Sequence, residues 1–222
     1  MSLIFQAIKK MSALGVTVAV QSTKYLPTSR ISHRHMDPLM NSLRNFYFLR
    51  AGVAFAWAVL AVLLGSAPVA VVGALLVLYP AWDAAANVID ARRSGGLPAN
   101  PGQKFNALTS IITAVCMATA FALRGNAGAV LVFGVWALLA GLFQLAVGIG
   151  RRKLGGQVFM IISGAQSALA GIIFVKQSFG NAPGIAQLAP YAAFGCLYFL
   201  LSALWLTFRK SQIPSLRDRE AS

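Results

Sequence analysis

Apolar residues in this chain come in long unbroken stretches rather than with the periods of two or 3.6 that mark amphipathic strands and helices. Six stretches, approximately 46–64, 67–89, 105–123, 127–149, 156–175 and 188–208, each reach the roughly 20 residues that a helix needs to cross about 30 Å of hydrocarbon. Polar or helix-breaking residues separate them: GSAP at 65–68, ARRSGGLPANPGQK at 91–104, RGN at 124–126, RRKLGG at 151–156 and KQSFGNAP at 176–183. The pattern predicts an all-α polytopic membrane protein with six transmembrane helices occupying 46–210, followed by a polar tail at 211–222.

Composition agrees with the pattern. Hydrophobic residues make up 58% of the 222 and charged residues 11%, too apolar for a water-soluble domain of this length. The net charge of +14 alone would suggest a nucleic-acid ligand, but the basic residues flank apolar runs instead of forming a polar patch, so nucleic acid is not expected as a partner. Placing the N-terminus in the cytoplasm leaves 17 of the 19 Lys and Arg on that side and only Arg124 and Lys176 outside, which predicts six spans with both termini cytoplasmic. Membrane lipids are the expected partners. The clusters Arg92–Arg93 and Arg151–Arg152–Lys153 are expected to touch anionic headgroups.

Residues 1–45 form a cytoplasmic segment, read either as an interfacial amphipathic helix over 2–14 or as disordered chain, with Met36 and Met40 as alternative starts. A cleaved signal is the weaker reading, because it would put Arg30, Arg34 and Arg44 on the outer face. Cys116 and Cys196 lie within apolar runs and are expected to be buried side chains, not a disulfide. Two histidines, His33 and His35, both precede the first long run, so no metal site is expected in the membrane, and no cofactor.

The spans also repeat. Span two ends VIDARRSGG (88–96) and span four GIGRRKLGG (148–156), each followed by a span that opens on a polar residue, Asn106 or Gln157. A two-span unit of this kind implies three parallel helical hairpins. With YPAWDAAANVIDARRSGG (79–96), WALLAGLFQLAVGI (136–149) and MIISGAQSALAG (160–171), the chain over roughly 46–210 resembles the HdeD-like family of six-span bacterial inner-membrane proteins. The resemblance implies a link to envelope or acid stress and carries no reaction, ligand or catalytic residue. The N-terminal extension departs from the family pattern.

Candidate chemistry is sparse. Catalytic signatures such as a Walker loop, HExxH or GxSxG are absent, and no enzyme is expected. Asp83 is the clear ionisable residue inside a span, with Asn87 and Asp90 at i+4 and i+7 on the same helix face and Pro80 three residues before it. One expectation is a structural pair of Asp83 with Arg50. The alternative is a polar path through Asp83, Asn87, Asn106, Gln144 and Gln166 that would serve a small transporter or channel. Gln144 and Gln166 also fit hydrogen bonding between helices. Small-residue ladders, Gly134–Ala137–Gly141 and Ser163–Ser167–Gly171, fit either packing seams or a homo-oligomer, and the four tryptophans fit buried or interfacial anchors.

Overall fold

A computed structural model of the chain describes residues 33–150 and 158–211; the expectations for 1–32, for Arg151–Lys153 and for the polar tail lie outside these residues. Among the described residues the structure is helical without strands: α1 (His33–Leu63), α2 (Val69–Arg93), α3 (Pro101–Gly150), α4 (Val158–Gln177), a short 3-10 turn (Ile185–Leu188) and α5 (Ala189–Ser211). Five of these helices are long and apolar enough to cross a membrane. Helices satisfy every interior backbone amide without water, which lipid demands.

The third helix is 50 residues long, about 75 Å if straight, far more than one bilayer crossing requires. It is not straight. Gly125 takes φ 55° and ψ −139°, a conformation open to glycine and strained for other residues. The chain folds back there, so that Phe105 stacks on Phe143 at 4.8 Å between ring centroids, whereas a straight helix would hold them about 57 Å apart. Gly128 completes the reversal, since a Cβ there would fall 2.1 Å from the Ala120 carbonyl oxygen. The two antiparallel halves, 101–124 and 126–150, are called arm one and arm two below. A loop expected at 124–126 is thus a single glycine.

Two further boundaries differ from the sequence reading. α1 starts at His33 rather than near 46, because its polar lead-in is excluded from lipid but not from helix; the apolar part is Asn41–Leu63. α2 ends on Arg92 and Arg93 and closes at the turn 94–100. There Gly95 and Gly96 have positive φ, the Gly96 amide bonds the Ala91 carbonyl at 2.7 Å, and the Asn100 side chain donates to the Ser94 and Gly96 carbonyls, both at 2.8 Å. Pro101 then opens α3 at the position where its missing amide is harmless.

The chain divides into two compact units. Among the described residues one is Leu60–Ala189, and the other joins α1 up to Val59 with α5 from Pro190 onward. Within the larger unit, Gly65 approaches Ala186, Gly184 approaches Asn126, and Gly134 abuts Val175. Hence the 64–68 turn, Gly125 and the end of α4 share one end, with Arg124 and Lys176, while Arg92, Arg93 and Lys104 lie at the opposite, basic end. Within the smaller unit, Tyr47 stacks on Phe199 at 6.4 Å and the Arg50 guanidinium sits over the Phe199 ring at 4.2 Å.

Much of what is buried is small, although Leu76, Met117 and Phe133 are buried too. Ala51, Ala54, Ala61, Ala86, Ala107, Ala129, Ala137, Ala192 and Ala203 fill the interior, whereas Leu63 (72% exposed), Val69 (72%) and Leu123 (78%) point outward. Water would penalise such a surface heavily, but lipid does not, and small interior residues are what let apolar helices pack closely in lipid. The arm two/α4 interface carries this furthest: a Cβ on Gly141 would lie 2.3 Å from the Ala168 amide nitrogen, and one on Gly171 2.4 Å from that of Leu138. The small-residue ladders are therefore a packing seam inside one chain. Cys116 departs from expectation. It is exposed, on the outward side of arm one with Ile112 and Val115, and Cys196 is only half-buried.

Candidate functional site

The site is built on the α2/arm one interface, where an i, i+4, i+7 face on α2 meets residues of an antiparallel neighbour. Asp83 is half-buried, and its Oδ2 accepts a hydrogen bond from Ser110 Oγ at 2.8 Å and from Asn87 Nδ2 at 3.1 Å. The same Asn87 amide donates to the Asp83 carbonyl at 2.8 Å, and its side chain is buried. Ser110, 1% exposed, takes a third bond: the Trp136 indole N–H from arm two donates to its oxygen at 3.2 Å. Three helical segments thus meet here: α2 and arm one donate to the carboxylate directly, and arm two reaches it only through Ser110.

About two turns further on, the arrangement recurs in weaker form. Asp90 Oδ2 accepts from Gln103 Nε2 at 3.2 Å. Both carboxylates are seven residues apart on α2, and both partners, Ser110 and Gln103, are seven apart on arm one. That register is what two antiparallel helices in continuous contact produce.

An aromatic layer covers the carboxylate on the side away from the basic end. Tyr79 meets Trp136 edge-on at 5.9 Å and stacks on Phe133 at 6.4 Å, and Phe133 in turn meets Phe174 of α4 edge-on at 5.6 Å. Phe133 is fully buried and Trp136 nearly so, while Trp205 is exposed.

The sequence candidates therefore divide. Asp83, Asn87 and Asp90 face one neighbour, as their spacing indicates. Gln144 belongs elsewhere, donating to Ser163 Oγ across the arm two/α4 seam, where Ser167 Oγ also donates to the Ala137 carbonyl at 2.9 Å. Gln166 is half-buried on α4. Arg50 lies in the smaller unit and Asp83 in the larger. Arg92 and Arg93 are exposed. Ser110 and Gln103 were not singled out from the sequence, because serine and glutamine near apolar runs are common, and Trp136 was read as a buried or interfacial anchor and not as part of this site; the signal was the shared seven-residue interval. Among the described residues no three His, Cys, Asp or Glu side chains cluster as a metal site would need.

Fold and site define an all-helical protein of the membrane-spanning type. No family model, curated protein or solved structure matches the chain.

Proposed function

We propose that this is a non-catalytic multi-pass protein of a bacterial inner membrane, acting through lipid or protein contacts, with envelope or acid stress as its setting in keeping with its HdeD-like resemblance. The folded-back α3 supplies two crossings, which gives six spans in all, and the positive-inside rule puts both termini and the basic end in the cytoplasm. Arg92, Arg93 and the 151–153 cluster then meet anionic headgroups, each basic residue contributing about 1 kcal/mol near the surface. A second copy of the chain is a further candidate partner.

One observation carries this reading. The carboxylate deepest in the helices is engaged by Ser110 and Asn87 beneath an aromatic layer, an arrangement that ties helices together. The test is a pair of measurements on protein in liposomes and in detergent. Asp83→Asn lowers thermal stability in detergent, while proton flux through wild type and variant equals that of empty vesicles. Flux above the empty-vesicle level that Asp83→Asn abolishes would overturn the reading.

A single feature favours a second reading, a small transporter or channel using Asp83. The polar face Asp83–Asn87–Asp90 leads from the interior toward the basic end, where intramembrane carboxylates that serve ion movement are reached by water. Modification of cysteines placed at positions 83 and 87 by a water-borne thiol reagent separates the two, because a helix tie is dry and a conduction path is wet.

A further inference from the structure

The polar residues of α2 and arm one oppose each other in three rungs. The bonds from Ser110 to Asp83 and from Gln103 to Asp90 fix the register of the two antiparallel segments, and that register sets Asn87 opposite Asn106. The outer rungs are hydrogen-bonded across; among the described residues the middle one is not. Asn87 is 5% exposed and spends its amide nitrogen on Asp83, with one bond to the carbonyl and one to Oδ2. A planar amide whose nitrogen turns back to Asp83 sends its Oδ1 the other way, to the Asp90 side, and among the described residues that buried oxygen accepts no hydrogen bond. Asn106 is half-buried, and its side chain makes no bond among the described residues. Gln103 commits Nε2 to Asp90 and leaves Oε1, while the half-buried Asp90 carboxylate accepts at Oδ2 alone and has no ion pair among the described residues.

We infer that the middle rung binds one small monovalent cation of the alkali-metal class, entering from the basic end and held by Asp90 with the amide oxygens of Asn87, Asn106 and Gln103. A buried carbonyl oxygen without a donor is rare and costly, so a ligand must answer it. One water brings two hydrogens to four oxygens that have no donor, Asn87 Oδ1, Asn106 Oδ1, Gln103 Oε1 and Asp90 Oδ1, whereas a cation attracts all of them at once. The ligand set selects the ion. It is all oxygen, without the thiolate or imidazole that zinc and the later transition metals prefer. It contains one carboxylate, so a single positive charge closes the site neutral, while a divalent ion would leave one charge uncompensated beside hydrocarbon. Asp83 stands about 10 Å away along the helix axis, its Oδ2 already holding Ser110 and Asn87. Asp90 is one turn from the end of α2, where water is close at hand. Arg92, Arg93 and Lys104 nearby are exposed, so salt screens them in a way that it does not screen the rung between the helices. This goes beyond the helix tie at Asp83: the cation joins α2 to arm one at the rung where no bond within the protein does so, and the site stands whether or not Asp83 conducts.

The full chain in detergent is melted in sodium chloride, in potassium chloride and in choline chloride, across a range of concentrations at one ionic strength. Choline, too bulky for the space between two packed helices, is the blank. At least one of the two alkali ions raises the melting temperature saturably above choline, as a ligand of the folded state does. Asp90→Asn keeps an oxygen for Gln103 but loses the charge, and it raises the half-saturating concentration about tenfold or more. Asn106→Leu breaks no side-chain bond among the described residues, so the fold survives it, and it raises that concentration about fivefold. Gln144→Leu, at the arm two/α4 seam, leaves it unchanged. Melting that is the same in both alkali salts as in choline overturns the site. So does an alkali effect whose half-saturating concentration is unmoved by either Asp90→Asn or Asn106→Leu, because the ion then sits elsewhere.

Discussion

The larger unit contains two interfaces of the same overall form, α2 against arm one and arm two against α4, and they are held together differently. In the first, side chains reach across: Asp83 to Ser110, Asp90 to Gln103, with Trp136 joining from the third segment. In the second the backbones themselves touch, through Gly134, Gly141, Gly164 and Gly171. Lipid explains why both devices are needed. Leucine gains little by leaving hydrocarbon for a protein interior that is equally apolar, so association rests on close packing or on polar bonds, and each interface relies chiefly on one. An interface of backbones has nowhere to go; one of side-chain bonds opens when a bond is broken.

The contrast is broken most severely at the seam. Gly141→Leu places a side chain where even a Cβ would be 2.3 Å from the Ala168 backbone, and backbone atoms cannot step aside as a flexible side chain would. A loss of about 3 kcal/mol or more is expected, seen as failure to recover folded protein in detergent or a large fall in melting temperature. Leucine at Gly52, around which nothing lies within 4 Å, is expected to be tolerated. Equal losses at the two positions would mean that the seam is not close-packed.

Next in size is the reversal that creates both interfaces. Gly125→Ala forces a methyl-bearing residue into φ 55°, which costs of the order of 1 to 3 kcal/mol. Part of the strain is relieved if arm one and arm two splay. A disulfide or crosslink between cysteines at 105 and 143, where the rings now stack at 4.8 Å, then forms more slowly in the variant than in the parent.

Ser110→Ala strikes the side-chain interface at its node. It leaves Asp83 and Trp136 each short of a partner, so the expected loss of about 1.5 kcal/mol exceeds that of an ordinary intramembrane hydrogen bond. Tryptophan emission reports the change locally once Trp57, Trp82 and Trp205 are replaced by phenylalanine, leaving Trp136. Combined with Asp83→Ala, the effects should be less than additive, since both remove the same bond.

How much of this was legible beforehand follows from the same physics. Hydropathy located the apolar helices because crossing length is a property of the run itself; it missed the start of α1, because a polar helical lead-in carries no apolar signal. Arg124, Gly125 and Asn126 marked a break, but not that a single residue performs it. Asp83 was conspicuous because a carboxylate in an apolar run needs a reason, and its face with Asn87 and Asp90 followed from helical geometry. Its partners Ser110 and Trp136 were not legible, since which serine or tryptophan answers a carboxylate depends on how two distant segments register. Gln144 was grouped with Asp83 by polarity alone, and the fold assigns it to the seam, with Ser163.

Gln144 gives the smallest and sharpest comparison. It forms the same kind of bond as Asp83, a polar side chain meeting a serine on the neighbouring helix, but in an interface that backbone contact already holds closed. Gln144→Leu is expected to cost no more than about 0.6 kcal/mol, the average for such bonds within membranes, because the glycines at 141 and 164 keep the helices together without it. The Ser110→Ala loss should be at least twice that, since it removes two bonds, to Asp83 and from Trp136, in an interface that no backbone contact holds closed. Thermal melts of the two single variants, under one detergent, decide the point. If Gln144→Leu proves as costly as Ser110→Ala, the seam depends on its polar bond as much as the other interface does, and the division between backbone-held and side-chain-held contacts fails.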